Sequence, residues 1–380
     1  MPLQASSRFT TRTPLRVFSL PGRNYRNNPY FGLFCDALEN AGLKIVDIND
    51  RAAKRMQFDI LHVHFPEHYV TERSLVRAIL SSLTCLTFLG CTRLLKKQIV
   101  WTVHDTVPFK QNHFWLLWPY LSFVRRLVSG YVFMNTSSRV EFLDRYPAQK
   151  GKPYCEIPHG PYPAARLSQS RRQELRSQFG GHPGCIIVGF LGDIKPYKNI
   201  EALEKLPTHT GKGRAVRVLI AGRPDPLSYS SNVDVVLRRS GSSRIIRIDE
   251  RLTDERLSEL IQAVDAVFLP YKKGSNSGFA MLVLSCGGRI ISSNLGMFRD
   301  LEFHLGKEWV RTVNLSASTD CIQLALGEIS EGEPDPLDLA RRDSFLNRSS
   351  FLNGGINLSR FYRELTTSGH ATSHSKIASR

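Results

Sequence analysis

Short apolar runs typical of strands alternate with amphipathic helical stretches along almost the whole chain. Two series of six runs are rich in Val, Ile, Leu and Phe: 15–20, 44–48, 58–64, 98–103, 131–134 and 154–157, then 186–191, 216–221, 244–248, 266–269, 289–292 and 309–313. Because most runs are continuously apolar, they predict strands buried on both faces of a parallel sheet. Helical patterns such as Pro29–Asn40 and Asp254–Val264 lie between them. The alternation predicts an α/β fold of doubly wound parallel sheets.

The two series are separated by a stretch without a strand signal, Pro161–Gly184, which is rich in Pro, Ser, Arg and Gly. A chain of 380 residues has the usual length of two domains. We therefore predict two Rossmann-like domains facing a cleft, residues 1–165 and 166–340. A helix over 341–365 is expected to return to the first domain, and 366–380 has the composition of a disordered tail.

The chain is strongly basic, with 51 Lys and Arg against 34 Asp and Glu and a net charge of +17. This excess predicts a polyanionic partner: a nucleic acid, an anionic membrane surface or a phosphate-rich substrate. The seven cysteines are scattered without a CxxC pair, and the N-terminal segment lacks the apolar core of a signal peptide. These features predict reduced thiols and a cytoplasmic protein. A hydrophobic content of 42% excludes a wholly disordered or fibrous chain.

One loop combines features suited to binding a diphosphate. In VGFLGDIKPYKNIEAL, residues 188–203, a strand ends before Gly192, which allows a tight turn, and a helix is predicted to begin near Asn199. Lys195 and Lys198 would bring two ammonium groups to the point where backbone N–H groups and the positive helix end converge. The alternative is that both lysines are solvated loop residues, since the loop has neither a Walker nor a GxGxxG pattern.

A second loop, FLPYKKGSNSGF at 268–279, is built in a similar way. A strand is followed by a polar loop with Tyr271 and Asn276, and a helix is predicted to begin at Ser277–Gly278. Open α/β sheets bind ligands at the carboxyl ends of their strands, and the first amides of such a helix could meet an oxyanion. The alternative is structural, with Ser277 only a helix cap and Gly278 only a close-packing position.

In their order along the chain, these motifs resemble the donor half of GT-B glycosyltransferases. The pattern Gly-x5-Lys-Asn-x3-Leu is followed by LIAGRPDP and by a PY…SGF…GG segment, and WTVHDTVPF and EIPHGPY in the first half are also similar to family segments. The resemblance implies a nucleotide-sugar-dependent glycosyltransferase with an acceptor-binding, membrane-facing first domain and a donor-binding second domain. The donor-binding residues that it implies are Gly192, Lys195, Lys198, Asn199, Arg223, Tyr271, Asn276, Ser277, Gly278, Ser285 and His159.

Ser277 and Ser285 hold the two positions at which many retaining members of the superfamily carry glutamates. In this respect the chain resembles the inverting β-mannosyltransferases of bacterial exopolysaccharide assembly. The resemblance implies transfer of a hexose, mannose favoured, from a GDP- or UDP-sugar to a lipid-linked or polysaccharide acceptor. The nucleotide sugar is a co-substrate, so no cofactor is expected, and because the sequence has no DxD pair we predict transfer without a metal. A retaining GT-B transferase of other sugar specificity, a GT-B sugar-nucleotide epimerase and an inactive binder are the alternatives.

An inverting displacement needs a group that takes the proton of the acceptor hydroxyl. Glu67 and Asp105 follow predicted strands of the first series, and His104 resembles the family histidine that approaches the donor sugar. These three are the candidate catalytic residues, with a cap or turn as the alternative role for Asp105. The loop after the first strand contains Gly22 and Asn28, which we predict to lie beside the acceptor or the phosphates. A plain surface turn is the alternative there.

Apolar and basic residues are interleaved between Arg73 and Arg126, as in a helix lying among lipid headgroups. The basic residues of this stretch are Arg73, Arg77, Arg93, Lys96, Lys97, Lys110, Arg125 and Arg126. Its uncharged run 78–92 has 15 residues, fewer than the ~20 of a spanning helix. We therefore predict peripheral association with the cytoplasmic face of the inner membrane. An internal helix with a charged rim is the alternative.

Nucleic-acid binding is the competing class that the charge suggests. The sequence has no helix-turn-helix, zinc-finger or RNP-like pattern, and its aromatic residues cluster with leucines. A nicotinamide-dependent dehydrogenase is excluded because no GxGxxG follows a predicted strand. The predicted partners are a nucleotide sugar, a lipid-linked saccharide acceptor and an anionic membrane surface, with no nucleic acid.

Overall fold

The structure is a computed structural model that describes residues 13–25, 28–108, 112–225, 229–239, 244–316, 320–329 and 334–368. The chain divides into two compact units. The first comprises Met1–Phe133, Tyr146–Ile157 and Phe351–Arg380, and the second comprises Met134–Arg145 and Pro158–Ser350. These limits differ from the predicted division at 165 and 341, partly because the Tyr162 amide already bonds to a helix of the second unit.

The first unit contains a parallel sheet. Its described strands are β1 (Arg16–Leu20), β2 (Lys44–Val46), β3 (Ile60–Val63), β4 (Gln98–Val103), β5 (Gly130–Phe133) and β6 (Tyr154–Glu156). They lie in the order β2-β1-β3-β4-β5-β6, and every pair is parallel. The order reverses direction between β1 and β3, which makes the carboxyl ends of these two strands the expected ligand position of this sheet.

The second unit contains another parallel sheet. Its described strands are β7 (Cys185–Leu191), β8 (Ala215–Ala221), β9 (Ile245–Ile248), β10 (Ala266–Leu269), β11 (Ile290–Ser293) and β12 (Val310–Val313). They lie in the order β9-β8-β7-β10-β11-β12, which is the Rossmann order, with parallel pairing throughout. The switch point falls between β7 and β10.

Helices cover the strands of both units. In chain order they are α1 (Pro29–Asn40), α2 (Arg51–Lys54), α3 (Leu75–Leu94), α4 (Phe114–Leu127), α5 (Thr136–Arg145), α6 (Gln169–Gln178), α7 (Ser230–Arg239), α8 (Asp254–Ala263), α9 (Gly278–Ser285), α10 (Gly296–Leu305), α11 (Asp320–Gly327), α12 (Pro336–Arg348) and α13 (Phe351–Ser368). α1, α3, α4 and α13 belong to the first unit, where α13 packs on α1.

Strand β7 shows why the apolar runs are continuous. Ile187 and Leu191 belong to one hydrophobic cluster, while Ile186, Val188 and Phe190 belong to a second cluster. Because successive side chains point to opposite faces, a sheet covered on both sides needs an apolar residue at every position. All the predicted strands are present within about two residues of their predicted bounds. The predicted fold class, two Rossmann-like doubly wound parallel sheets, is confirmed.

Two helix predictions are wrong. No α-helix begins near Asn199 in this described part of the chain, where 3-10 turns cover Pro196–Lys198 and Ile200–Lys205. Asn199 interrupts them because it adopts the left-handed conformation, with φ of 62°. The C-terminal helix is split at 349–350 into α12 and α13, and α13 continues into the first residues of the predicted tail. The rest of that tail, 369–380, lies outside the described residues.

Candidate active site

A cavity of about 380 Å³ lies at the carboxyl ends of the second sheet, beside its switch point. The loops after β7 and β10 and the N-terminus of α9 contribute most of its lining. The predicted donor-binding residues in this lining are Gly192, Lys195, Lys198, Tyr271, Asn276, Ser277 and Gly278. The fold therefore brings together two loops that are about 80 residues apart in sequence, as expected for a switch-point site.

Two glycines let the loops after β7 and β8 approach each other. Gly192 has φ of 78° and Gly222 has φ of 140°. A Cβ atom on Gly222 would lie 2.2 Å from the carbonyl oxygen of Gly192, so no side chain fits there. The close approach leaves Lys198 as the long side chain next to this turn, with its Nζ 3.4 Å from the position of a Cβ on Gly192.

Lys198 is a buried cation in the wall of this cavity. Its side chain is only 7% exposed, and Nζ donates to the carbonyl of Leu191 at 3.4 Å and lies 5.1 Å from the ring centre of Phe279. Burial lowers the pKa of the ammonium to about 8, although the charge of Asp193 offsets part of this effect. A diphosphate in the cavity would add negative charge beyond the partial counter-charge that Asp193 supplies to this ammonium.

Lys195 has a different environment from Lys198. Its side chain is partly exposed, and its Nζ lies 3.5 Å from a carboxylate oxygen of Asp193 and 3.4 Å from one of Asp225. Exposed ion pairs of this kind contribute little to stability. Lys195 is therefore available to an anion only in competition with two carboxylates.

The N-terminus of α9 opens into the same cavity. The Ser277 hydroxyl accepts a hydrogen bond from the amide of Ala280 at 3.1 Å, which makes Ser277 the N-cap. Tyr271 is buried against this cap, and its side chain hydrogen-bonds to Ser277. The first amides of a helix have no intrahelical acceptor and carry the positive end of the dipole, so this point suits an anion.

His159 packs against the start of α9. Its Nδ1 donates to the carbonyl of Gly160 at 3.0 Å, which leaves Nε2 as the acceptor facing the Tyr162 hydroxyl at 3.4 Å. Burial lowers the pKa of His159 to about 4, so the ring is neutral at pH 7. A Cβ on Gly278 would lie 3.0 Å from that Nε2, so a larger residue there would require the histidine ring to yield by a few tenths of an ångström.

Four predicted donor residues do not line this cavity in the described part of the chain: His159, Asn199, Arg223 and Ser285. Asn199 donates from Nδ2 to the carbonyl of Pro270 at 3.0 Å and so ties together the loops after β7 and β10. The Ser285 hydroxyl donates to the Met281 carbonyl at 2.7 Å and accepts from the Tyr162 amide at 3.1 Å. Arg223 is exposed.

Several residues that line the 380 Å³ cavity were not predicted from the sequence. Arg251, Leu252 and Asp254 come from the loop after β9 and the start of α8, and Tyr197 comes from the loop after β7. Arg251 adds a third cation to the wall. Only their place in the sequence could have indicated this role, because these residues also follow strands and so lie at the carboxyl edge of the sheet.

The candidate bases lie at the carboxyl ends of β3 and β4 in the first unit. Glu67 is on a 3-10 helix, Pro66–Tyr69, and burial raises the pKa of its carboxyl group to about 8, with a further contribution from the charge of Asp105. The Nε2 atom of His104 lies 3.0 Å from Nδ1 of His64, and its ring stacks on Phe65. Glu67 and Asp105 are thus close enough to interact electrostatically.

His62, by contrast, is a satisfied core histidine. Its Nε2 hydrogen-bonds to the Thr102 hydroxyl at 2.6 Å, and its Nδ1 contacts the hydroxyl of Tyr362 on α13. Burial lowers its pKa to about 3, so it is uncharged at pH 7.

A second cavity, of about 1020 Å³, lies at the switch point of the first sheet. Gly22 and Tyr25 from the loop after β1, Phe65 and Tyr69 after β3, and Phe88 of α3 are among its lining residues. Asn28 is exposed, and its side chain caps α1 by accepting from the amide of Tyr30 at 3.1 Å. The loop after β1 therefore lines the cavity at Gly22 and caps α1 at Asn28.

Helix α3 is longer than predicted. It covers 20 residues and, by length and composition only, could cross a membrane, although a soluble core helix can pass the same test. The expectation that this segment is too short is therefore wrong. In the most apolar 18-residue segment of α3, 28% is buried inside the first unit.

The basic residues near α3 do not all face outward. Arg125 is buried with its guanidinium 4.0 Å from the ring centre of Tyr146, and Lys97 donates to the carbonyl of Phe58. Arg73, Arg77, Arg93, Lys96 and Arg126 are exposed, and Lys110 lies outside the described residues.

Two doubly wound parallel sheets, with a cation-lined cavity at the switch point of the second, fit the GT-B class of glycosyltransferases. No family model matches the chain. It is 22% identical over 329 residues to GDP-mannose:glycolipid 4-β-D-mannosyltransferase of Xanthomonas campestris pv. campestris, covering 86% of this chain and 87% of the relative. The predicted class, a nucleotide-sugar-dependent glycosyltransferase, is confirmed by this likeness together with the fold.

Solved structures agree on the fold. Sucrose-phosphate synthase from Thermosynechococcus elongatus superposes with a TM-score of 0.62 at 15% identity, covering 94% of this chain and all of that one. Anabaena HepE in complex with UDP and glucose superposes with a TM-score of 0.53 at 14% identity, covering 93% and 98%. Both likenesses extend over the two units and confirm the GT-B architecture.

Proposed function

We propose that this protein transfers a hexose, with mannose favoured, from a GDP- or UDP-sugar to a lipid-linked or polysaccharide acceptor, with inversion and without a metal. The observation that carries the proposal is the buried ammonium of Lys198 beside the N-terminus of α9 in a switch-point cavity. The name of the Xanthomonas relative, which specifies GDP-mannose and a glycolipid, supports the choice of sugar and acceptor.

On the donor side, Lys198 and the first amides of α9 would bind the diphosphate. As the bond between the anomeric carbon and the diphosphate oxygen breaks, negative charge grows on that oxygen. A fixed cation and oriented N–H groups stabilise such charge without reorganising during the reaction. Lys195 and Arg251, which line the same cavity, add positive potential.

On the acceptor side, the hydroxyl oxygen attacks the anomeric carbon while a base removes its proton. Glu67 suits this role because a carboxylate whose pKa is about 8 is a stronger base than an ordinary one. His104 and Asp105 are the other candidates. The serines at 277 and 285 are occupied as a cap and as a partner of the Tyr162 amide, which supports a mechanism without the paired glutamates.

The first unit offers a binding place for the acceptor lipid. The 1020 Å³ cavity has aromatic walls, and α3 contributes both to this wall and to an exposed apolar stripe of Val76, Leu80 and Leu83. Residues at this spacing share one helix face. Phe114, Trp115 and Phe123 of α4 are exposed as well, and the guanidinium of Arg126 lies 5.4 Å from the ring centre of Phe123. This composition supports reversible binding to an anionic membrane.

The experiment is a transfer assay with radiolabelled GDP-mannose and UDP-glucose and a bacterial lipid extract, run with and without a chelator. Label from GDP-mannose in the lipid fraction, unaffected by the chelator, is the expected result. Label only from UDP-glucose would overturn the choice of sugar, and loss of transfer with the chelator would overturn the metal-free mechanism. No transfer, together with no thermal stabilisation by GDP or UDP, would overturn the function.

A further inference from the structure

Asn135 caps α5 and belongs to the second unit. Its Oδ1 accepts a hydrogen bond from the amide of Ser138 at 2.7 Å, and the Ser138 hydroxyl donates back to the Asn135 carbonyl at 2.9 Å. A backbone N–H can only donate, so this bond fixes which end of the Asn135 amide is oxygen. The NH₂ end must therefore point the other way.

That NH₂ group reaches the loop that precedes α9. Nδ2 of Asn135 donates to the carbonyl of Ser275 at 2.7 Å and to Oδ1 of Asn276 at 2.8 Å. Asn276 must present its oxygen to Asn135, so its own NH₂ group is directed away from Asn135. Because Asn276 lines the 380 Å³ cavity next to the cap residue Ser277, the orientation of its amide decides whether the cavity meets a donor or an acceptor.

The start of α5 is itself held in place. The amide and the hydroxyl of Ser137 donate to the two carboxylate oxygens of Asp300 on α10, at 2.8 and 2.9 Å. A Cβ on Gly296 would lie 2.7 Å from the Cβ of Ser137, so α5 and α10 pack closely at this point. Asn135 is therefore a rigid support for the loop.

We propose that Asn135 is a positioning residue of the donor site, which orients the Asn276 amide so that its N–H groups donate to the diphosphate of the nucleotide sugar. This inference rests on the proposed function. With the opposite orientation, a carbonyl oxygen would face the phosphate oxygens, and two acceptors repel. Asn135 itself does not line the cavity and acts through Asn276.

The test is calorimetric titration of GDP and UDP into the full chain and its variants. Asn276→Ala should weaken binding about tenfold, and Asn135→Ser, which keeps a capping oxygen, about three- to tenfold. If Asn135 acts through Asn276, the double variant should bind within about twofold of Asn276→Ala, because coupled residues are not additive. Asn135→Asp keeps the cap but sets a carboxylate against two acceptors, and should weaken binding more than Asn135→Ser.

Asn314→Asp is the matched control. Asn314 is exposed, its Oδ1 accepts from the Ser316 amide at 3.0 Å, and it does not line the cavity. It should bind like the wild type, and urea unfolding should show that each variant is folded. Losses that multiply in the double variant, or wild-type binding by Asn135→Asp, would overturn the role of Asn135 while leaving the function standing. A wild-type chain that binds neither nucleotide would overturn both.

Discussion

At the residue scale, the proposed role of Lys198 depends on the burial of its ammonium. Lys198 is 7% exposed, and its Nζ donates to the backbone carbonyl of Leu191 at 3.4 Å. Removing a charge from water without a counter-charge is unfavourable, and the lowered pKa expresses that cost. Lys195 is more exposed, and its ammonium is paired with the carboxylates of Asp193 and Asp225.

Replacing Lys198 with methionine should therefore stabilise the ligand-free protein at pH 7. The pKa of the Lys198 ammonium is about 8 in the folded state and 10.5 in an ordinary lysine. The free-energy cost of burying this ammonium is therefore fully present below pH 8 and disappears as the pH rises to 10.5. Lys198→Met should raise the free energy of unfolding at pH 7 by up to about 3 kcal/mol. Urea unfolding at pH 7 and pH 10 measures this; a destabilised variant at pH 7 would contradict it.

The raised pKa of Glu67 predicts a pH dependence of turnover. A base must be deprotonated, so kcat should rise with pH and level off above about 8. Glu67→Gln should remove this limb and lower kcat about a hundredfold or more while sparing donor binding. Steady-state kinetics from pH 6 to 9.5 measure both effects, and an unchanged profile in the variant would assign the base to another residue.

Asp105 offers a separate check on the same carboxyl group. Its negative charge raises the pKa of Glu67, so Asp105→Asn should shift the rising limb of kcat to lower pH. A limb that stays in place would show that the group titrating in the profile is not Glu67. If Asp105→Asn abolishes turnover while Glu67→Gln does not, Asp105 is the base.

At the scale of the element, the two faces of α3 lie in different surroundings. Cys85 and Leu89 face the interior, and Phe88 lines the apolar cavity, whereas Val76, Leu80 and Leu83 are exposed. A soluble helix ordinarily places charged residues on its outer face. The exposed stripe is the part of α3 through which the proposed membrane contact can be tested.

The stripe gives a binding prediction. The double variant Leu80→Asn/Leu83→Asn should reduce partitioning onto vesicles of phosphatidylglycerol and phosphatidylcholine about tenfold or more, because two apolar side chains no longer enter the lipid. Co-sedimentation measures the bound fraction. Leu337→Asn, at a leucine 75% exposed on α12 of the other unit, is the control and should bind normally. Equal binding by all three proteins would exclude α3 as the contact.

At the scale of the whole molecule, the sequence predicts what depends on local pattern. The strands were predictable because a sheet covered on both faces requires continuous apolar runs, as the alternating clusters around β7 show. The start of α1 was predictable from Pro29 preceded by Asn28, which caps it. The grouping of Lys198 with Ser277 followed from the rule that ligands bind where parallel strands end.

What could not be predicted depends on contacts distant in sequence. Arg125 is turned inward by the ring of Tyr146, and Arg223 faces solvent, although both are arginines in basic stretches. The left-handed Asn199 separates two 3-10 turns where the sequence predicted the start of an α-helix. From the sequence, Asn135 could be predicted only as a helix cap that follows a strand. Its contact with the loop before α9 could not be predicted, because that loop is about 140 residues away.

The most direct test of the whole account is nucleotide affinity after removal of one ammonium group. Calorimetric titration of GDP and UDP at pH 7 should show that Lys198→Ala loses about ten- to a hundredfold in affinity, equivalent to a charged hydrogen bond of ~1.5–3 kcal/mol. Lys307→Ala, at an exposed lysine of the same unit, should bind within about twofold of the wild type. Unchanged affinity in Lys198→Ala would contradict the donor site, and with it the proposed enzyme mechanism.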